Sequence, residues 1–426
     1  MKRREILKRL GIGTAILPFT SSFDAAMNDL NLSDDLEDLT GVSYDDEKFW
    51  KRFAKRNYRV SDEFINLENG YFGVQPEVVK QAYIKNVEKV NEYSSQYMRT
   101  SFSEDYKSIV KGLAQFAGVK PEETLVTRNA TEALNIIIQG LKLEKGDEVI
   151  LHRQDYFSMI EAFEMLSRTK GIKVRYIKVP LIPQDDEDIL RAYREAVNER
   201  TKCILVTHLL HMTGQIMPVK KIADEFKPLG IDIVVDAAHS FAQLGFKITD
   251  LGADFVGVNL HKWFSNPLGA GMLYVKENRI PDLQPMYGDV RQESNNIRKL
   301  GHFGTLATPI LMTIPVAQAY NERITLPLKE KRLRYLQNYW TTEAQKIDKV
   351  VVTTPTEPNR SCALASFKIE GQQATETVRL LHEKFKVFTV IRYLEDDQVV
   401  RVTPNLYNNL ADLDRLLEGL RFLSKA

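Results

Sequence analysis

Between residues 124 and 275 the chain repeats one pattern, a short apolar run followed by a longer intervening segment and then another apolar run. Thr124-Leu125-Val126, Glu148-Val149-Ile150-Leu151, Lys173 to Val179, Cys203 to Thr207, Asp232 to Val235, Phe255 to Val258 and Ala270 to Val275 all read as strands. Thr131 to Leu141 and Ser158 to Thr169 read as helices between them. Such alternation predicts an α/β fold, with a mostly parallel central sheet covered by helices on both faces. Sheets of this kind bind ligands beyond the carboxyl ends of their strands.

Two of these runs end in groups able to do chemistry. Ile231-Asp232-Ile233-Val234-Val235 leads into Asp236-Ala237-Ala238-His239, and Ala253 to Val258 leads into Asn259-Leu260-His261-Lys262-Trp263. A carboxylate and an amine are therefore expected at the ends of two nearby strands. A buried lysine is costly unless paired or used, and a desolvated amine is a good Schiff-base former. Taken alone, His261-Lys262 reads first as an ordinary surface lysine at a strand end, and Asp236 reads equally as a cap for a following helix.

The rest of the chain frames this block. Residues 1–23 hold Arg3-Arg4, an apolar stretch from Gly11 to Phe19 and small residues through Ser22, the pattern of a twin-arginine export signal. That implies a periplasmic protein and the twin-arginine export machinery as a partner; a basic first helix of a cytoplasmic enzyme is the alternative. Residues 24–47 are acidic and read as a linker, and 48–75 as an arm with a short helix from Phe49 to Ala54. Pro76 opens a long helix to about Ser94, within a large domain taken as 76–326. A long helix from Leu328 to Ile347 begins a smaller α+β domain, 327–426, ending in a helix from Leu410 to Leu423. A formal net charge of +1 gives no sign of a nucleic-acid or polybasic membrane surface. The two cysteines, Cys203 and Cys362, read as small buried hydrophobes, each within a strand-like run.

Asn66-Leu67-Glu68-Asn69-Gly70, Thr127-Arg128-Asn129-Ala130-Thr131, Asp236-Ala237-Ala238-His239, Asn259-Leu260-His261-Lys262-Trp263 and Arg401-Val402-Thr403-Pro404 occur in this order. Together they resemble the class V aminotransferases among the fold-type I enzymes of pyridoxal 5'-phosphate (PLP). Within that family the chain looks most like the isopenicillin-N epimerase-like and exported aminotransferase-like branch. The resemblance implies that Lys262 carries PLP as a Schiff base and then acts as the base at Cα. It implies that Asp236 pairs with the pyridine nitrogen, where an anion keeps that nitrogen protonated.

Other positions follow from the same resemblance. Ala130 and Thr131, at a helix start, would receive the phosphate, although a plain N-cap threonine fits too. Tyr156 would stack on the cofactor, and His239 would face its phenolic oxygen or be an ordinary core histidine. His211 stands where desulfurases place an asparagine, which leaves its role open. Asn259 and His261 flank the lysine and would contact it or the phosphate. Arg401 would clamp the substrate carboxylate, with Asn69 and Tyr71 in the arm above it. Gly304-Thr305 would reach the phosphate of a neighbouring subunit, implying a homodimer with shared active sites. Leu306-Ala307-Thr308-Pro309 departs from the epimerase pattern at that place.

These features predict a PLP-dependent enzyme acting at the amino group or Cα of an amino acid or amino-acid-containing metabolite. Transamination is the first expectation, and epimerisation or racemisation the alternative. Cysteine desulfuration is disfavoured, because no cysteine lies between Phe388 and Arg401. A PLP-fold binding module without catalysis is the reading from a different class. No metal is expected.

Overall fold

The computed structural model describes residues 39, 41–288, 291–394 and 397–425. The proposed export signal and most of the acidic stretch lie outside them. Helix α1 (Glu47–Asn57) and the two-residue strand β1 (Ile65–Asn66) precede two long helices, α2 (Glu77–Thr100) and α3 (Phe102–Ala117). The predicted end near Ser94 is a kink (φ 43°, ψ −123°), beyond which α2 continues. There follow β2 (Thr124–Thr127), α4 (Ala130–Gly140), β3 (Glu148–His152), α5 (Phe157–Lys170), β4 (Lys173–Ile177), α6 (Asp186–Ala196) and β5 (Thr201–Thr207). Then come α7 (Val219–Phe226), β6 (Asp232–Asp236), β7 (Phe255–Asn259) and β8 (Gly271–Val275).

These strands form one seven-stranded sheet in the order β2-β8-β7-β6-β5-β3-β4. Its neighbours are parallel from β7 through β4, whereas β8 runs antiparallel to both β7 and β2. All strands but β8 therefore end at one edge. Register sets Thr207 beside Asp236, and Asp236 beside Gly257. The sheet is sandwiched by buried side chains such as Ile136, Ile137 and Phe163 on one side and Val206, Val258 and Ile314 on the other. Each such side chain contributes about 1.5–3 kcal/mol by leaving water.

The last third builds a second layer. Helices α8 (Thr308–Ile324) and α9 (Leu326–Ala344) lead to β9 (Val350–Val352), β10 (Ala365–Ile369), α10 (Ala374–Phe385), β11 (Val387–Phe388), β12 (Val390–Leu394), β13 (Asp397–Val402) and α11 (Leu410–Leu423). Four of these strands make an antiparallel sheet, β12-β13-β10-β9, with its own core of Trp340, Phe367, Leu381 and Leu416. The arm belongs to this layer physically, since β1 pairs in parallel with β11 and Leu67 lies in the same core.

Two expectations need correcting here. The stretch read as a linker to residue 47 is docked at its end: Ser43 accepts a hydrogen bond from the Trp50 indole, and Glu47 pairs with the fully buried Arg332 of α9. An unpaired buried guanidinium would be costly, so this acidic residue is structural. Cys362, read as part of a strand, lies in the loop before β10, although it is buried as expected.

Candidate active site

The sheet edge where β5, β6 and β7 end opens into a cavity of about 670 Å3. Thr207, Asp236 and Asn259 reach it as the last residues of those strands, and Ala130 and Thr131 reach it from the first turn of α4. Close packing puts that turn there. A side chain at Gly257 would sit 2.6 Å from Leu134, and one at Gly271 would sit 2.5 Å from the Asn129 backbone. Larger residues on β7 or β8 would push the start of α4 away from the strand ends.

Lys262 lies three residues beyond β7, in a turn fastened on every side. Leu260 N–H donates to the Ala270 carbonyl at 3.0 Å, Asn266 N–H to the Leu260 carbonyl at 2.9 Å, and Gly73 N–H to the His261 carbonyl at 3.2 Å. From α8 the Asn321 amide donates to the Phe264 carbonyl at 2.9 Å, and from α9 the Lys329 ammonium donates to the Trp263 carbonyl. The Lys262 amine lies 2.9 Å from His239 Nε2. Burial, reinforced by the charge of Arg401, draws the amine down to about 7. A large share of it is then the free-base nucleophile at neutral pH.

Asp236 is buried, and one carboxylate oxygen accepts the Ala238 amide at 2.9 Å. Burial raises its pKa, a shift opposed by that amide and by Lys262. A cationic partner beside it would favour the ionised form. Asp155, which the sequence reading passed over, is buried and does not line the cavity. Its carboxylate accepts from Thr207 Oγ1 at 2.7 Å and from the His152 amide at 2.7 Å, tying the ends of β3 and β5 together. Burial, with the Asp236 charge as a smaller contribution, pushes it up to about 7.

The first turn of α4 divides its amides. Asn129 caps it, accepting from Glu132 N–H at 2.8 Å, and Ala133 N–H reaches the Asn129 carbonyl. Asn259, expected to contact phosphate or lysine, instead accepts the Ala130 amide at 2.8 Å. Of the amides from Ala130 to Ala133 this leaves that of Thr131 without a hydrogen bond to the described residues, and Thr131 lines the cavity at the positive end of the helix. His261 Nδ1 lies 3.1 Å from the Ala270 carbonyl, so its ring is held as part of the turn.

His211 and His239 both line the cavity, and each has a buried Nδ1 without a hydrogen-bond partner among the described residues. Burial drives both rings well below the ordinary histidine pKa, and the charges of Arg401 and Lys262 add to this. They are neutral. Tyr156, at the start of α5, meets the His211 ring edge-on at 5.4 Å. His208 packs against Phe246 and stays out of the cavity.

The opposite wall comes from the arm and the smaller sheet. Arg401 lines the cavity but is already engaged: its Nε and Nη2 face Glu68, and Nη1 donates to the His211 carbonyl at 2.8 Å. Arg392, on the neighbouring strand, also lines the cavity, with Nη2 3.5 Å from the same Glu68 carboxylate. Neither Glu68 nor Arg392 stood out in the sequence. The only signal was an acidic residue inside the Asn66-to-Gly70 motif. Tyr71 lines the cavity and is exposed.

Two expected site residues do not line the cavity. Asn69 is wholly buried, its amide donating to the Thr403 carbonyl at 2.8 Å and its oxygen accepting from Tyr407 at 2.8 Å. With both ends of its side chain engaged it fastens the arm, and it is not turned toward a substrate. Thr305 is exposed on the surface after Gly304, away from the cavity of its own chain. Both thiols are fully buried, and burial pushes Cys362 up to about 12.

Comparison with known proteins agrees with this architecture. Isopenicillin N epimerase of Streptomyces clavuligerus is 25% identical over 331 residues, 74% of this chain and 83% of that protein. A cysteine desulfurase of Haloferax volcanii is 25% identical over 341 residues, 75% of this chain and 78% of that one. The solved structure of a cysteine desulfurase from Thermococcus onnurineus superposes with a TM-score of 0.78 at 21% identity, covering 88% of this chain and 98% of that chain. The fold is thus that of the fold-type I PLP enzymes, with a mixed seven-stranded central sheet and a small antiparallel C-terminal sheet. Residues 75–416 match the model of one family, and the chain belongs to it: aminotransferase class-V.

Proposed function

We propose that this PLP-dependent class V enzyme moves the Cα proton of an amino acid or amino-acid-containing metabolite, with epimerisation or racemisation ahead of transamination. The observation that carries the reading is the Lys262 amine, fixed 2.9 Å from His239 Nε2 with its pKa drawn to about 7, beside the buried Asp236 carboxylate. The ordering departs from the sequence expectation. The named relatives above are an epimerase and desulfurases, which weighs toward chemistry at Cα and beyond rather than amino transfer to a keto acid.

The side chains fit the family's cofactor. Thr131 supplies an amide and a hydroxyl for a phosphate, Asp236 an anion for a protonated ring nitrogen, and the unpartnered Nδ1 atoms of His211 and His239 polar contacts for ring substituents. When bound, PLP supplies an electron sink that stabilises negative charge at a substrate Cα. Lys262 anchors the group and then takes the Cα proton, and His239 Nε2 accepts from the amine or returns a proton to it. Burial disfavours the charged forms of His211 and His239, so neither ring would compete with the cofactor's ring nitrogen for Asp236. A persulfide-forming desulfurase would need an accessible thiol, and both cysteines are sealed in the interior.

Two further parts of the reading rest on sequence pattern alone. Thr305 and Gly304 would complete a neighbouring subunit's phosphate site in a homodimer. Residues 1–23 would direct the folded, cofactor-loaded protein through the twin-arginine route to the periplasm. The deciding experiment incubates the purified protein in deuterium oxide with a panel of amino acids and no keto acid, following visible absorbance and Cα exchange. Exchange with inversion while the cofactor band persists supports the proposal. Lasting loss of the band, with amino acid converted to keto acid, would replace it with transamination.

A further inference from the structure

The wall opposite Lys262 holds two guanidinium groups and one resident carboxylate. Glu68 Oε1 receives Arg401 Nη2 and the Tyr71 amide at 3.0 Å, and lies 3.5 Å from Arg392 Nη2. Its Oε2 lies 3.4 Å from both Arg401 Nε and Thr403 Oγ1. The Glu68 and Arg401 side chains are almost completely buried, and Arg392 is about a quarter exposed. Arg392 and Arg401 stand on adjacent strands, opposite Val399 and Val390 respectively. Gly70 lets Arg401 lie flat against the arm, since a side chain there would come within 2.6 Å of Nη2.

A fork-to-fork pair of arginine and carboxylate is the geometry a substrate carboxylate would adopt on the same guanidinium. Glu68 therefore occupies the edge of Arg401 that a substrate would use. Two positive charges against one negative leave a single unit of charge for one incoming anion, and Arg392 is the less engaged of the two. Its Nη1 donates to the adjacent Ile391 carbonyl, and its contact with Glu68 is long.

Building on the function proposed above, we infer that Glu68 is a built-in competitor for the arginine pair, and that Arg392 receives the substrate carboxylate jointly with Arg401. Glu68 then sets how tightly the cavity holds carboxylate-bearing amino acids. It also couples occupancy to the arm, because the carboxylate that a substrate displaces is the one holding the Tyr71 amide.

Acetate and succinate serve as probes, titrated calorimetrically into the PLP-loaded enzyme. Glu68→Gln keeps the shape and removes the charge, so both probes should bind about tenfold more tightly; Arg392→Gln should weaken them by about tenfold. A purely structural Glu68 gives unchanged or weaker binding in Glu68→Gln, and either result overturns the inference. If Glu68→Gln does not fold, Arg392→Gln decides: unchanged probe affinity rejects the joint site. Failure of Lys262 to capture PLP would instead remove the functional reading beneath it. Normal capture with unaltered probe affinity in both variants removes this inference alone.

Discussion

The two walls of the cavity are built differently. The Lys262 wall consists of strand ends and one helix start around the central sheet, with Asp236 and Asn259 closing their strands, Thr131 in the first turn of α4 and Lys262 three residues past β7. The Arg401 wall joins the arm to the smaller sheet, and its central pair, Glu68 and Arg401, is 333 residues apart in the chain. Backbone ladders position both walls, since Arg401 sits on β13 between β12 and β10 and Glu68 bridges to Thr403. The second wall differs in that ion pairs between side chains face its cavity. Rigid chemistry on one side and exchangeable ion pairs on the other suit a site that keeps its cofactor and exchanges its substrate.

The largest effect should come from the first wall. Lys262→Ala is expected to abolish borohydride-fixed PLP and to lower turnover by about 10^4-fold, the upper range for losing a positioned general base. A residual covalent adduct at another lysine would break the assignment. Asp236→Asn comes next, with turnover down by about 100-fold or more and PLP still captured, because only the charge beside the ring nitrogen is lost. Equal activity in Asp236→Asn would mean that the carboxylate merely caps the turn at Ala238.

A pH measurement separates the walls without mutation. The Lys262 amine is drawn down to about 7 chiefly by burial, with the nearby Arg401 charge adding to it. The free base is the form that attacks an aldehyde, so PLP capture by the cofactor-free protein should accelerate as pH rises through about 7 and level off above it. Rates still climbing toward the ordinary lysine range would show that the amine is solvated. Since Arg401 contributes to the shift, Arg401→Gln should move the midpoint upward, linking the second wall to the first.

This contrast explains what was legible in the sequence. The strands ending at Asp236 and Asn259 could be read because apolar runs and the residue that terminates them are neighbours in the chain. So could the helix beginning at Ala130. Glu68 could not be assigned, because its partner is fixed only when β1 pairs with β11 and the arm meets β13. Asn69 was misplaced for the same reason: a conspicuous motif residue in an arm gives no indication of which face is buried. The Asn259–Ala130 hydrogen bond was hidden because it crosses from a strand end to a helix start packed through Gly257 and Gly271.

The smallest predicted effect tests whether the first wall is as preorganised as its hydrogen bonds imply. Asn129 is extended (φ −172°) and caps α4 through Glu132 N–H, while Glu132 in turn accepts from the Arg128 amide at 2.7 Å and from Arg128 Nε at 2.8 Å. Removing the cap by Asn129→Ala should cost about 1 kcal/mol of unfolding free energy, as N-cap losses do. If the turn holds the Thr131 amide ready for an anion, the same substitution should weaken PLP binding more than it weakens the fold, read as a phosphate-dependent loss that pyridoxal without phosphate does not share. An equal loss for both forms of the cofactor would mean that Asn129 stabilises the helix alone, and that the anion site is assembled only when the phosphate arrives.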